Sequence, residues 1–237
     1  MLSDAHLHLS PALVPILRDQ PMTAVISCAT PAEYEAAQAL QEESPWLEIS
    51  CGIHPWRVEE GVWETMLPYL EKAAVIGEIG MDNVWCRTDL ALQAEYFERQ
   101  LAMAQAAHKP VVLHTKGMEK ECLEMIKRYP NRYHVHWYST DAYLEEYIDL
   151  GCYFSVGPFP SKDPAVANVA KKCPLDRLLI ETDGLEAIIW AAGREVDGSS
   201  YMAVLRHMAT QIGELRGMTK EEVLIKTNAN LRRMLTP

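Results

Sequence analysis

The sequence predicts a (β/α)8 barrel: one α/β domain over residues 1–237, slightly irregular and carrying an extra C-terminal helix. Three observations lead there. Eight short apolar runs rich in strand-forming residues alternate with longer segments of helical periodicity. No hairpin signal joins one run to the next, so the strands are parallel and connected by crossover helices. A chain of 237 residues also has the length that eight units of ~20–35 residues need. A doubly wound open sheet is the rival, but its usual G-x-G-x-x-G fingerprint is absent.

The strand runs lie at 2–8 (LSDAHLH), 22–28 (MTAVISC), 47–53 (LEISCGI), 73–79 (AAVIGEI), 110–114 (PVVLH), 133–138 (YHVHWY), 152–156 (CYFSV) and 178–183 (LLIETD). Between them, 31–42 opens with Pro31 and a carboxylate-rich first turn. Residues 89–107 begin at an Asp cap and place Phe97, Leu101 and Ala104 on one face. Segments 119–128, 140–150, 163–172 and 199–213 follow the same logic. Residues 219–235 form one or two terminal helices behind the Thr219-x-x-Glu222 capping box.

Composition narrows the class. Apolar residues make up 49% and charged residues 23%, with 12 Gly and 14 Pro, which excludes wholesale disorder and collagen-like repeats. No apolar run reaches the ~18 residues of a membrane helix. Residues 1–17 carry no basic leader and hold Asp4, His6 and His8 among their apolar positions, so they do not read as a signal peptide. The six cysteines form no C-x-x-C pair; they read as buried free thiols in a reducing cytoplasm. The net charge of −11 excludes a basic surface that coats nucleic acid. Action on phosphates would then need a local positive centre such as bound metal. No membrane association and no obligate protein partner is indicated.

Chemistry gathers at the strand ends, the face where such barrels hold their sites. His6 and His8 are two apart on a strand and so share a direction. Glu78 sits in GEIGMD, His114 ends PVVLH, His136 lies in YHVHWY and Asp183 in IETD. Any one of them has a bland reading as a cap or a satisfied core residue. Together they differ, because a closed barrel brings all strand ends within ~10 Å of a common axis. Four imidazoles and two carboxylates buried there are costly unless cations satisfy them. Six N/O ligands exceed what one open tetrahedral ion uses, so two divalent ions ~3.5–4 Å apart with one shared ligand are expected. Imidazole-rich ligation suits Zn²⁺, while phosphodiester chemistry also runs on Mg²⁺ or Mn²⁺.

The motifs Asp4-x-His6-x-His8, GIHP at 52–55, GEIGMD at 77–82, the Gln93–Ala104 pattern Q-x-x-x-F-x-x-Q-L-x-x-A, PVVLH at 110–114, ETD at 181–183 and the terminal TNANLRRML together resemble the TatD-type metal-dependent deoxyribonucleases, a branch of the amidohydrolase-like barrels. The resemblance covers nearly the whole chain. It implies that His6, His8, Glu78 and Asp183 surround one ion, that Glu78, His114 and His136 hold a second, and that Glu78 bridges. It also implies that His54 contacts a substrate phosphate. Two segments depart from the family pattern. After the sixth strand, His136-Trp137-Tyr138-Ser139-Thr140 stands where His-Cys-Phe-Ser-Gly is usual. After ETD, GLEAIIWAAGREVDGSSY replaces a proline-containing segment, with Gly193-Arg194 alone suggestive of the usual Arg-Asn-x-Pro element.

Lys116 and Arg194 are further candidates for an anionic substrate, and Arg57 a weaker one. His134 reads as a core or supporting group, His108 and His207 as surface or cap residues on helices. Asp4 and Glu181 are expected to point inward one layer below His6 and Asp183, where they could orient a ligand or water. The six tryptophans show no regular spacing and read as packing residues.

The expected reaction is hydrolysis by a metal-activated water, with Asp183 as proton acceptor, on DNA or short nucleic-acid ends. The acidic exterior favours short, single-stranded or terminal substrates. Two alternatives differ in class. One is a hydrolase of small anionic amides, esters or lactones, against which stands the absence of a lysine at the fourth or fifth strand end. The other is a non-catalytic metal-holding barrel, against which stands the complete ligand set.

Overall fold

Runs of Val, Ile and Leu without polar alternation are strands covered on both faces, and the chain folds accordingly. The computed structural model describes residues 1–236. Eight strands pair in parallel in sequence order: β1 (Ser3–His8), β2 (Thr23–Cys28), β3 (Leu47–Cys51), β4 (Val75–Gly80), β5 (Val111–His114), β6 (Tyr133–Val135), β7 (Tyr153–Val156) and β8 (Leu178–Ile180). The outer layer comprises α1 (Val14–Asp19), α2 (Pro31–Glu43), α3 (Val62–Lys72), α4 (Leu90–Ala106), α5 (Glu119–Ile126), α6 (Leu144–Asp149), α7 (Pro164–Lys172), α8 (Leu185–Ala192), α9 (Tyr201–Arg216) and α10 (Lys220–Leu235). The main apolar core lies between the strands and these helices.

Local chemistry explains the helix starts. Thr30 caps α2 by accepting from Glu33 N, while Glu33 reaches back to Ala29 N at 2.6 Å. Asp89 caps α4 and Asp163 caps α7. The expected capping box of Thr219 and Glu222 opens α10, which is a single helix.

Two strands are irregular where it matters. On β1, Asp4 pairs with Ala24 but Leu7 pairs with Ile26, so β1 spends one residue more than β2. On β4, Ile76 pairs with Val111 and Ile79 with Leu113, again one residue more than the partner. Such bulges re-aim side chains, and these two fall at His6 and at Glu78. The first overturns one expectation. Asp4 does not point inward beneath His6; the extra residue turns it outward to Tyr201 of α9, whose hydroxyl donates to Asp4 Oδ2 at 2.7 Å.

There Asp4 closes the barrel. β1 and β8 lie side by side, and the backbone bond from Asp183 N to His6 O, 3.0 Å, crosses between them. Asp4 supplies the rest: Oδ1 accepts from Thr182 N at 3.0 Å and Oδ2 from Thr182 Oγ1 at 2.6 Å. Burial pushes the Asp4 carboxyl up to about 7, with the hydrogen bonds from Thr182 and Tyr201 working against that rise.

At the opposite end α10 forms the floor. Leu231 and Met234 pack with Ala5, Val25, Tyr153 and Leu179 in a second apolar cluster. Asn228 Nδ2 donates to Leu2 O and Thr23 Oγ1, both at 3.1 Å, and Asn230 Nδ2 to Leu175 O and Leu178 O, both at 2.8 Å. Leu2 O also accepts from Thr23 N at 3.3 Å, and the other two carbonyls lie just before and at the start of β8.

Several boundaries differ from expectation. The strands expected at 47–53, 133–138 and 178–183 stop at Cys51, Val135 and Ile180. Trp137 at φ +32° and Asp183 at φ +59° take the chain out of extended geometry. The helix expected at 140–150 starts only at Leu144, and His108 occupies a left-handed turn after α4 instead of lying in it. Helices α1, α3 and α8 were not expected. The first is short, the second carries Pro68 in its interior, and the third is apolar on nearly every side and so lacks periodicity.

The floor generates a stability prediction. Asn230→Ala leaves the Leu175 and Leu178 carbonyls without a partner, and a loss of ~1–3 kcal/mol is expected. Urea titration should show a lower midpoint with unchanged slope; an unchanged midpoint would count against α10 as a closing element.

Candidate metal centre

The two bulges and the strand ends aim seven ionisable side chains at one point. Glu78 is buried, and its two oxygens face different neighbours. Oε2 lies 3.5 Å from His6 Nε2 and 3.8 Å from His8 Nε2. Oε1 lies 2.7 Å from His114 Nδ1, 2.8 Å from His136 Nε2 and 3.5 Å from His54 Nε2. Asp183 Oδ1 completes the first set, 3.3 Å from His6 Nε2 and 3.5 Å from His8 Nε2. Gly80 makes the approach of β4 to β5 possible. At φ +146°, a Cβ there would sit 1.9 Å from the His114 carbonyl oxygen.

The charges are strongly coupled. Burial works to raise the Glu78 carboxyl, but the surrounding imidazoles of His136, His54 and His114 outweigh it and hold the group well below the carboxylate range. Asp183 is held low against burial by His6, His136 and His8. Burial alone would lower His136 and His114. Glu78 and Glu181 nevertheless raise the first well above its usual value, and Asp82 and Glu78 raise the second. In His54, burial prevails over Glu78 and the pKa falls.

The arrangement fits divalent cations. Both ring nitrogens of the fully buried His6, and Asp183 Oδ1, have no hydrogen-bond partner, although His6 Nε2 and that oxygen are 3.3 Å apart. Donor atoms that converge without bonding one another are arranged for a cation between them. Three groups have ligand atoms within 4.8 Å of one another: His6, His8 and Asp183; His6, Glu78 and His136; His54, Glu78 and His114.

Two carboxylates grip the far side of the ligand rings. Asp82 Oδ2 lies 2.9 Å from His114 Nε2, and Asp82 also accepts from Trp56 Nε1 at 2.7 Å and from Val84 N and Trp85 N. Glu181 Oε1 lies 3.1 Å from His136 Nδ1, in line with the supporting role expected of it. Its Oε2 accepts from Ser155 Oγ at 2.6 Å, and that hydroxyl meets His134 Nε2 at 2.7 Å. His134 is thus a supporting group below the site, held well below its usual pKa by burial and by His6 and His136. A carboxylate behind an imidazole fixes its tautomer and aims its other nitrogen. Asp82 was missed in the sequence, although GEIGMD ends on it.

The structure therefore brings His6, His8, Glu78, His114, His136 and Asp183 together at one mouth. It adds His54, expected as a phosphate contact, to the same cluster. Lys116 lines the cavity, its Nζ donating to Ser139 Oγ at 2.9 Å, and Arg57 stands at the rim. Arg194 is exposed beyond α8 and outside the cavity lining. The cavity, about 990 Å³, is also lined by Trp56, Trp85, Trp137 and Trp190. Trp137 does pack against the core, as expected of the tryptophans; that all four also line the cavity was not legible from spacing, because each comes from a different loop or helix.

An eight-stranded barrel with this cluster at its mouth defines a metal-dependent hydrolase. The chain belongs to the TatD related DNase family, whose profile matches residues 3–236. It is 28% identical over 209 residues to the uncharacterized metal-dependent hydrolase YabD of Bacillus subtilis, covering 84% of this chain and 81% of that protein. It is 23% identical over 215 residues to the 3'-5' ssDNA/RNA exonuclease TatD of Citrobacter rodentium, covering 85% and 82%. The crystal structure of YjjV, a TatD homolog from Escherichia coli, shares the fold with a TM-score of 0.81 at 22% identity, over 100% of this chain and 98% of that one. Among the described residues, no helix is long and apolar enough to cross a membrane.

Two predictions arise from this geometry. Asp82→Asn keeps the volume but removes the charge behind His114, and metal affinity should fall ~10–100-fold in a competition titration; wild-type affinity would reduce Asp82 to a loop brace. Metal ligands must be unprotonated imidazoles, whereas the carboxylates of Glu78, Glu181 and Asp82 raise the pKa values of His136 and His114. Metal binding near neutral pH should therefore release protons, and affinity should climb as pH rises toward those raised values. Calorimetry in two buffers of different ionisation enthalpy measures the release.

Proposed function

We propose that this chain is a nuclease that shortens single-stranded DNA or short nucleic-acid ends by metal-assisted phosphodiester hydrolysis. The observation that carries the reading is the division of labour at Glu78, with Oε2 turned to His6 and His8 and Oε1 to His114, His136 and His54. One carboxylate between two sets of donors is what a pair of divalent ions with a shared ligand requires. His6, His8, Asp183 and Glu78 would hold one ion; Glu78, His114 and His136 the other, with His54 beside it. Zn²⁺, Mg²⁺ and Mn²⁺ all accept such donors. Bound there, the ions would supply Lewis acidity, acidifying a water toward neutrality and polarising the phosphoryl oxygen.

The residues of the chain do the rest. Asp183, at the edge of the cluster and partly open to the cavity, takes the proton of the attacking water as its oxygen bonds to phosphorus. It returns a proton to the leaving oxygen when the P–O bond breaks. Asp82 and Glu181 keep His114 and His136 aimed, so neither ring needs to reorganise. Lys116, half-buried with one N–H committed to Ser139, offers its remaining donors to a substrate phosphate.

The nuclease names of the Citrobacter relative and of the human 3'-5' RNA nuclease TATDN2, 28% identical over 158 residues, support the substrate class. TATDN2 is a longer protein, of which this match spans 21%. The net charge of −11 supports a preference for short single strands over long duplexes. Six free cysteines support a reducing, cytoplasmic setting, and the continuous eight-stranded sheet supports one domain over 1–237.

The test is hydrolysis of a short single-stranded oligonucleotide across a metal titration. Asp183→Asn should lower turnover ~10²–10⁴-fold at saturating metal, while His114→Ala should lose metal first and recover in part with excess. Equal recovery of both would make Asp183 a ligand only. Glu78→Gln should reduce occupancy of both sites in elemental analysis; two full equivalents retained would rule out the shared carboxylate.

A further inference from the structure

The two segments that depart from the family pattern meet in space. After β6, Trp137 turns at φ +32° and lays its indole over Gly157, where a Cβ would stand 2.5 Å from the ring. Trp190 of α8 meets it with ring centroids 5.9 Å apart and planes at 73°. Trp190 is 71% exposed, yet it lines the same cavity as Glu78, His114 and Asp183. An indole edge-packed on one side and open on the other gains little from packing alone, and here its open face belongs to the reaction cavity. Its support is rigid. Lys162 Nζ donates to the Ala191 and Ala192 carbonyls, both at 3.2 Å, tying down the C-terminal turn of α8 next to Trp190.

The far side of the mouth is built in kind. Trp56 and Trp85 pair at 6.4 Å and 81°, and Lys116 Nζ lies 4.6 Å over the Trp85 ring. Trp85 follows β4 and Trp190 follows β8, four strands apart in a ring of eight, so the two pairs oppose one another across the ligand cluster. Flat aromatic surfaces flanking a phosphate-directed centre, with a lysine beside one of them, match a chain of alternating phosphates and planar rings. The cavity is at the upper end of the ~300–1,000 Å³ of small-molecule sites, room for more than a bare phosphodiester.

We propose that Trp190, braced edge-on by Trp137, is a stacking platform for a nucleobase next to the scissile phosphate. This inference rests on the nuclease reading and adds what sets its specificity. A base reaches the platform only after leaving its duplex, so the site selects unpaired ends without reading their sequence, because every base has a π-face.

The experiment compares wild type, Trp190→Ala and Trp190→Phe on a single-stranded oligonucleotide and on the same strand with abasic residues at its ends. Removing the platform should cut kcat/KM on the base-bearing strand ~5- to 150-fold, the range for one stacked base, mainly through KM. The Phe variant should recover most of it. On the abasic strand wild type should be slowed to the level of Trp190→Ala, and the substitution should add little further loss. If Trp190→Ala cuts the base-bearing strand as well as wild type does, or loses the same factor on both strands, the platform is refuted. Failure of the wild type to cut any oligonucleotide under any metal would overturn the nuclease reading and the platform with it. That outcome is distinct from an active enzyme indifferent to Trp190. With metal present, a single strand with phosphorothioate linkages that resist cleavage should quench tryptophan fluorescence in wild type and distinctly less in Trp190→Ala at equal bound fraction; equal quenching by bound strand would also refute the platform.

Discussion

One buried carboxylate surrounded by five imidazoles is the constraint to which the rest of the molecule answers. Placing Glu78 there costs desolvation that only positive partners can offset, and placing five histidines there invites mutual repulsion that only negative groups or cations can offset. The protein meets both demands at once. Glu78 serves both sides with its two oxygens, Asp183 reinforces one, and Asp82 and Glu181 anchor the outer nitrogens of the other. No member of this set is satisfactory alone, which is why the cluster forms where strands from all around the ring end together.

The backbone yields to that requirement. A regular strand would alternate Asp4, His6 and His8 on one face; the bulge separates them, sending Asp4 to brace the β1–β8 junction and keeping both histidines in the mouth. The second bulge brings Glu78 under the imidazoles while Ile76 and Ile79 keep their places in the ladder. Both irregularities weaken local pairing, and the molecule compensates with side-chain bonds at the junction and with α10 beneath it. The mouth can therefore be irregular because the floor is not.

How much of this was legible in the sequence follows from the physics of each feature. The strand order and the convergence of six ionisable side chains were legible because strand ends in a closed barrel must converge, whatever the loops do. The outward turn of Asp4 was not, since a bulge inserts one residue without leaving a compositional mark. The nearness of His54 to Glu78 was not legible either, because it depends on the chain beyond Cys51, where Gly52 N still bonds Cys28 O and the Gln100 side chain of α4 holds Ile53. Asp82 was overlooked since a carboxylate two residues past a strand resembles any loop cap. Helix α8 was hidden by its own hydrophobicity, and with it the meeting of Trp137 and Trp190.

The β1–β8 junction also governs when the centre can exist. His6 and His8 lie on β1, whereas Asp183 follows β8, with α10 further along the chain. The full donor set thus exists only where β8 lies beside β1 and the ring is shut. A centre whose donors come from the first strand and from beyond the eighth is thus a property of the closed ring and of no smaller part of it.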